Sequence, residues 1–367
     1  MIKEVQKLNV KYNEKLVGYL MVLDNLDIAF QYDDDWIQNG FSISPLSLPL
    51  SRKIYINPKK NFNGLYGAFW DSLPDGWGAL LQNRFLASIG INPNKISPLT
   101  KLSIRSSNGL GALSYEPIQL VSNDYTDYTL DDIAKNISLI LADIPNADLD
   151  KLYKLAGSSG GARPKVHIKH ENESWIVKFP SSYDTKNISK NEYHTNLLAK
   201  KCDIEVNEFK LFESKICDGY FGAKRFDRIN GKPVHMISLS AILETSHQTP
   251  NLDYLHLLQV INQICIDKND LIKAFKLMCF NVLYGNRDDH GKNFAFLYDE
   301  NLKGYKLSPA FDLTQTLYKT EHEMTVAGKR RPKEKDILEV AKLAKLPMTQ
   351  YKNILRNIKE ILENEEN

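Results

Sequence analysis

The stretch GNRDDHGKNFAFLYDENLKGYKLSPAFD, residues 285–312, constrains the fold more tightly than any other part of the chain. It follows a strongly apolar run over 271–284 that reads as a helix, and Gly285 stands where a glycine in the left-handed conformation commonly ends one. A polar loop holding Asp288, Asp289, His290 and Lys292 comes next. Residues 293–298 predict a short apolar strand, 299–304 carry turn chemistry, and 305–307 predict a returning strand that breaks at Pro309.

An antiparallel hairpin brings the chain back to its start. Asp312, just past the second strand, should therefore lie near Asn293, which opens the first. Asp288 precedes Asn293 by five positions, on the loop leading in. Three oxygen-bearing side chains on one edge suit Mg²⁺, a hard cation that takes few protein oxygens and fills its shell with water and phosphate. The same order matches phosphoryl transfer. There an Asp orients the attacking hydroxyl, an Asn five residues later holds one metal, and an Asp beyond a short hairpin holds the metals on the phosphates. A lone Asp-x-x-x-x-Asn is more often an ordinary surface loop, so the hairpin, Asp312 and the upstream chain have to decide.

At 367 residues the chain can hold two or three compact units. Its 43% hydrophobic and 25% charged residues are ordinary for a globular protein, and a net charge of +2 is too small to require nucleic acid or an acidic membrane. Cys202, Cys217, Cys265 and Cys279 form no Cys-x-x-Cys pair, so neither a zinc site nor a disulfide framework is indicated. The charged N-terminal residues lack the apolar core of a signal peptide, and no apolar run approaches the ~20 residues that span a bilayer. A soluble, cytoplasmic protein without a membrane partner is the expectation.

Residues 1–125 predict a module of their own: a β-meander over 10–12, 15–23 and 27–31, the extended segment PLSLPL (45–50), and a helix from near Asp75 to Gly90. Trp70 and Trp77 read as core. The polar stretch VSNDYTD (121–127) is the linker candidate, followed by helices over 128–142 and 148–155. A second region, 126–235, is organised around GSSGGARPK (157–165), a loop of small residues feeding a hairpin with strands over 164–169 and 175–179. In the returning strand Trp175, Val177 and Phe179 share one face, and Ile176 and Lys178 the other. Folding the hairpin sets Lys178 opposite Lys165 at the mouth of the loop. Backbone N–H groups around an anion, with an ammonium nearby, make a phosphate cradle; taken alone the loop also reads as a flexible linker.

Residues 189–201 predict a helix in which Glu192 has two open readings. It closes a capping box with Ser189, or it pairs with Lys178 and fixes that ammonium on phosphates. A hairpin over 209–216 and 220–229 ends in KRFDR, where backbone groups of Lys224, Arg225 and Phe226 are candidates for an adenine edge. The third region, 236–367, is mostly helical apart from the opening hairpin, and its basic run 328–335 reads as a solvated loop, with a phosphate backbone or an acidic partner as the alternative contact.

In these residues, taken together, the chain resembles the HipA family of serine/threonine protein kinases, the toxins of HipA–HipB toxin–antitoxin pairs. PLSLPL and LPDGWG resemble the family's N-terminal module, GGARPK its glycine loop and IVKFP its nucleotide-binding lysine strand. NEYHTNLLAK resembles the following helix, KRFDR the hinge, DDHGKN the catalytic loop and SPAFDL the metal-binding segment, so the likeness covers nearly the whole chain. It implies an α+β, bilobal protein-kinase-like fold with an N-terminal β-rich module, a small β-rich nucleotide-binding region and a mostly helical C-terminal lobe. It implies ATP and Mg²⁺ as cofactors and Asp288 as the base that orients the substrate hydroxyl. Asn293 and Asp312 would hold Mg²⁺, and Lys178 would contact the phosphates with His290 near them. Gly160, Gly161, Ala162, Arg163, Pro164, Lys165, Lys224, Arg225, Phe226 and Phe311 would border the nucleotide. A serine of the glycine loop is autophosphorylated in the family, which silences the kinase; the matching position is Ser158, with Ser159 beside it. A phosphate there adds about −1.5 to −2 charges to a loop meant to hold an anion, so inactivation makes physical sense without the family.

The family further implies a HipB-like helix-turn-helix antitoxin, operator DNA bound through that antitoxin, and a protein substrate such as an aminoacyl-tRNA synthetase. The chain departs from the family in Arg163-Pro164, where glutamine and glutamate are common, in Lys224 at the head of the hinge, and in Asp289, an added carboxylate in the catalytic loop. Three rival readings remain: a small-molecule kinase of the same fold, an ATP-holding transcriptional co-regulator without significant transfer, and a metal-dependent nuclease using Asp288, Asp289 and His290.

Overall fold

The computed structural model describes residues 2–365 apart from 60, 105–108, 120–127, 145–147, 158–159, 183, 186, 247 and 317. The linker candidate 121–127 and both loop serines, Ser158 and Ser159, lie outside the described residues. The chain divides into two compact units, residues 1–190 with 210–236 and residues 191–209 with 237–367.

The first unit opens with a meander, β1 (Lys7–Tyr12), β2 (Lys15–Val22) and β3 (Ile28–Tyr32). The β1–β2 turn has Asn13 and Glu14 at φ 46° and 65°, the left-handed pair that a two-residue hairpin turn requires. After α1 (Asp34–Asn39) come β4 (Tyr55–Ile56), α2 (Gly67–Trp70), α3 (Gly76–Ser88), α4 (Pro98–Ser103) and β5 (Leu113–Glu116). The resulting sheet has the order β4-β3-β2-β1-β5. Helices α5 (Leu130–Leu141) and α6 (Leu149–Ala156) lead to β6 (Lys165–His170) and β7 (Glu173–Lys178). Past α7 (Ile188–Lys201), β8 (Phe209–Phe212) and β9 (Tyr220–Lys224) complete a second sheet in the order β6-β7-β9-β8.

Trp77 and Leu81 of α3 are buried in the same core as Ile137 of α5, Leu152 of α6 and Trp175 and Val177 of β7. The expected N-terminal module therefore shares a hydrophobic core with the hairpin it precedes. Trp77 is core as expected, whereas Trp70 is half-buried and stacks on Phe62 at 5.6 Å. The strand expected over 220–229 stops at Lys224, and a small hairpin follows, β10 (Arg228–Ile229) with β11 (Lys232–Pro233). Asn230-Gly231, both at positive φ, supplies its turn.

Two buried polar groups tie residues 210–236 to the N-terminal module. Asp227 accepts from Arg225 Nη2 at 2.7 Å, from Gly111 N at 2.7 Å and from Arg228 Nη1 at 3.0 Å. Burial alone would raise its pKa; the two guanidinium charges and the Gly111 N–H overcome this and hold the carboxyl well below the usual range. His235 places Nε2 2.8 Å from Ile43 O, with its ring against Phe41. Burial pushes its pKa from 6.5 down to about 4, opposed in part by that hydrogen bond.

A histidine whose folded pKa is depressed contributes stability that is full above its unfolded value and is lost as pH falls towards the folded one. Unfolding in urea at pH 7 and pH 4.5 should therefore differ in the His235→Gln variant by about 2 kcal/mol less than in the parent. An unchanged difference would remove His235 from the acid transition.

The second unit holds most of α7, β12 (Met236–Ser238), α8 (Leu239–Ile242), α9 (Tyr254–Ile264), α10 (Asn269–Tyr284), β13 (Ala295–Asp299), β14 (Gly304–Leu307), α11 (Glu334–Leu343) and α12 (Met348–Glu365). Its sheet runs β12-β13-β14; β12 was not foreseen. The side chains of Ala274, Phe275, Met278 and Cys279 bury α10, and Phe275 meets Tyr351 of α12 edge-on at 4.6 Å. Among the described residues no helix is long and apolar enough to cross a membrane.

Candidate active site

In the second unit, α10 ends as its sequence dictates, with Gly285 at φ 84° donating its N–H to Asn281 O. At the other end of the helix Asp270, fully buried, accepts from Leu307 N at 2.9 Å and so fixes β14 to the helix start. The pair β13–β14 is in register from Phe296↔Leu307 to Asp299↔Gly304, and Ser308 N donates to Ala295 O, carrying the pairing one step further. Both ends of the loop 286–293 are thus set by rigid elements.

The two adjacent aspartates of that loop face different surroundings. Asp289 is 1% exposed, and its carboxylate accepts from Tyr254 OH at 2.7 Å and Glu323 N at 2.9 Å, with His322 Nδ1 2.8 Å away. Burial and then the Asp289 charge push the Tyr254 hydroxyl far above its ordinary pKa, so it remains a donor. Asn281 Nδ2 donates to the Tyr254 oxygen, and Asn286 Nδ2 donates to Asn281 Oδ1, closing a chain of buried polar groups. Asp289 is therefore an anchor of the loop, which removes the carboxylate that a nuclease reading needed at the surface.

Asp288 is 40% exposed and pairs with the ammonium of Lys319, which also lies 2.7 Å from Glu323 Oε1. Burial works against the Lys319 charge, and the bonds to Asp288 and Glu323 more than offset it, so its pKa is raised. Asn293 Nδ2 donates to Asp288 O at 2.8 Å. With its nitrogen so engaged, Oδ1 is the amide atom that Asn293 can offer to a cation. Ala310 N donates to Glu205 O, and two residues later Asp312 stands at φ 57°, a left-handed conformation that aspartate tolerates better than most residues. The donor set of Asn293 and Asp312 is all oxygen, as magnesium prefers. His290 and Phe311 flank these positions in sequence and are half-buried.

Glu192 of α7 is 2% exposed. It stands in the first turn and a half of a helix that begins at Ile188.

In the first unit the register is Lys165↔Lys178, with Phe179 N donating to Pro164 O. Lysines directly opposite on one face repel, a cost that an anion beside them would relieve. The Lys178 ammonium stands 5.7 Å from the Phe221 ring centre. Lys165 is 8% exposed, and its Nζ would lie 3.0 Å from a Cβ built on Gly161, so its charge is at the loop itself. Arg163, expected to border the nucleotide, pairs with Asp184 at 3.2 Å. Lys224 pairs with Glu173 at 3.0 Å. Arg225 is committed twice: its side chain to Asp227, Gly109 O and His167, and its N–H to Ser174 O. Its guanidinium is thus structural. Phe226, next in the chain, is half-buried.

Helices and antiparallel sheets carrying a glycine loop, a lysine hairpin and an Asp-x-x-x-x-Asn loop ahead of a second hairpin make up a protein-kinase-like α+β fold. Residues 157–365 match the family model described as HipA-like C-terminal domain, and residues 8–116 match the HipA N-terminal domain. The chain belongs to the HipA family. It is 24% identical over 352 residues to "Putative kinase Y4mE" of Sinorhizobium fredii, covering 85% of this chain and 78% of that protein. It is also 29% identical over 181 residues to the serine/threonine-protein kinase CtkA of Helicobacter pylori, covering 44% and 52% of the two chains. Among solved structures, HipA of Shewanella oneidensis, in a complex with HipB and operator DNA, superposes with a TM-score of 0.73. That match is 18% identical and covers 97% of this chain and 90% of the other, and it shows a shared fold.

Proposed function

We propose that this protein is an ATP- and Mg²⁺-dependent serine/threonine protein kinase, the toxin of a toxin–antitoxin pair. The observation that carries the reading is the split between Asp288 and Asp289. One carboxylate is locked into the core and holds the loop, while its neighbour stays half-exposed beside Asn293, as an acceptor of a hydroxyl proton must. Asp288 orients the substrate hydroxyl and takes its proton. Lys319 steadies the carboxylate. Asn293 Oδ1 and the Asp312 carboxylate are the ligands for magnesium, which when bound neutralises charge on the phosphates. In the first unit Lys165 and Lys178, with the loop from Gly160 to Pro164, hold the phosphates of the nucleotide.

The substrate is a protein of the translation apparatus, of the aminoacyl-tRNA synthetase class, and Ser158, or Ser159 beside it, is the site of self-phosphorylation. A HipB-like antitoxin joins the chain to operator DNA; the Shewanella HipA structure is a complex with HipB and operator DNA. Phosphoproteomics after brief induction, comparing parent with Asp312→Asn, tests the substrate class. A new phosphosite on a translation protein in the parent alone supports it; growth arrest with no new phosphosite would sink it and favour a co-regulator.

Lys319 gives a sharper local expectation. Lys319→Met removes a part-exposed ion pair and should cost under ~1 kcal/mol of stability. It should nevertheless lower the rate of phosphoryl transfer about tenfold or more, because the carboxylate loses its fixed partner. Thermal melts and single-turnover rates check both halves, and an unaltered rate would exclude Lys319 from the site.

A further inference from the structure

The first residues of α3 direct their hydrogen-bonding groups at a distant part of the chain. Asp75 occupies the N-cap position, where a carboxylate ordinarily accepts from its own helix's first turn, and makes no such bond. Its Oδ1 accepts instead from Gly161 N at 2.5 Å. Trp77 N donates to Gly161 O at 2.9 Å, so one glycine-loop residue is held on both its N–H and its C=O. Gly76, between the two, has φ +47°, and a Cβ there would stand 2.2 Å from Gly161 O. A Cβ on Gly160 would stand 2.8 Å from Asp75 Oδ1. The approach at Gly76 is open only to glycine, and a side chain at Gly160 would push the Asp75 carboxylate aside.

We propose that the Asp75-Gly76-Trp77 corner is the positioning element of the glycine loop, so that affinity for ATP depends on a carboxylate outside the 157–365 kinase domain. The inference rests on the reading of that loop as a phosphate cradle. A loop of glycine, serine and alanine has much conformational entropy to lose on gripping a ligand, and ordering it beforehand removes that cost from binding. Asp75 and Trp77 supply the ordering through the backbone of Gly161. Because the Gly161 N–H is already taken, the anion is met by the remaining loop N–H groups and by Lys165, whose ammonium lies against Gly161. Asp75 is a positioning residue.

The test uses the full chain and reads hydrogen exchange over 160–165 without nucleotide, together with the dissociation constant for ATP–Mg²⁺. Asp75→Ala, on a half-buried residue, should leave the melting temperature close to the parent's. It should speed exchange and weaken ATP binding about tenfold each, the scale of one charge-assisted hydrogen bond lost. Asp75→Asn keeps an oxygen acceptor and should stay within about twofold of the parent. Exchange and affinity unchanged in Asp75→Ala would overturn the proposal. So would tighter ATP binding in both variants, which would mark the carboxylate as a competitor of phosphate. Faster exchange in Asp75→Ala, combined with a parent loop that ATP–Mg²⁺ does not protect, would leave the clasp standing and overturn its link to ATP, together with the cradle reading.

Discussion

Exchange of Asp288 for asparagine is expected to lower phosphoryl transfer by about 10²- to 10⁴-fold, the range that a positioned base contributes, and to leave stability within ~1 kcal/mol. The side chain is part-exposed, and its ion pair with Lys319 is shared with Glu323, so the amide costs the fold little. The chemistry has no such substitute, because asparagine accepts a hydrogen bond but takes no proton from the attacking hydroxyl. Chemical denaturation and single-turnover rates on the same preparation separate the two. Transfer that survived in Asp288→Asn would count against this residue as the base, whatever its stability.

The neighbouring substitution should do the reverse. Asp289→Ala strands the buried Tyr254 hydroxyl and His322 Nδ1 and the part-buried Glu323 N–H, three partners within 2.9 Å of one carboxylate. Buried donors left without an acceptor cost ~1–3 kcal/mol each and do not add in full, so a loss of about 3–5 kcal/mol is expected. That is a large part of the ~5–15 kcal/mol holding an ordinary domain together. The urea midpoint should fall steeply, and activity should follow it down through unfolding. A variant as stable as the parent would show that the polar chain from Asn286 to His322 contributes little.

Much of the site could be read in the sequence because it follows from short-range rules. Gly285 ends its helix and Asn13-Glu14 turns its hairpin, and a short polar turn is enough to set Lys178 near Lys165. The strands there run over Lys165–His170 and Glu173–Lys178, about a two-residue turn at Glu171-Asn172, rather than over 164–169 and 175–179. The rest depends on contacts between residues far apart in the chain. Nothing in DDH says which aspartate is buried; that is settled by Tyr254 and His322, 35 and 33 positions away. Asp75 looks like an ordinary helix cap until its partner 86 residues on is seen. Lys319 carried no local signal at all, lying beyond the metal segment in a stretch without regular structure. The Asn230-Gly231 turn has a clear local signal, and it pairs Arg228–Ile229, the end of the strand expected over 220–229, with Lys232–Pro233.

The central claim is that this chain moves phosphate from ATP using Asp288 with the oxygens of Asn293 and Asp312. Its most direct test is incubation of the purified protein with γ-labelled ATP and Mg²⁺, alone and with cell extract, beside Asp288→Asn and Asp312→Asn. The account predicts label in protein with the parent and none above background with either variant. A parent that binds ATP–Mg²⁺ but transfers no label, or variants that transfer it as well as the parent, would contradict it.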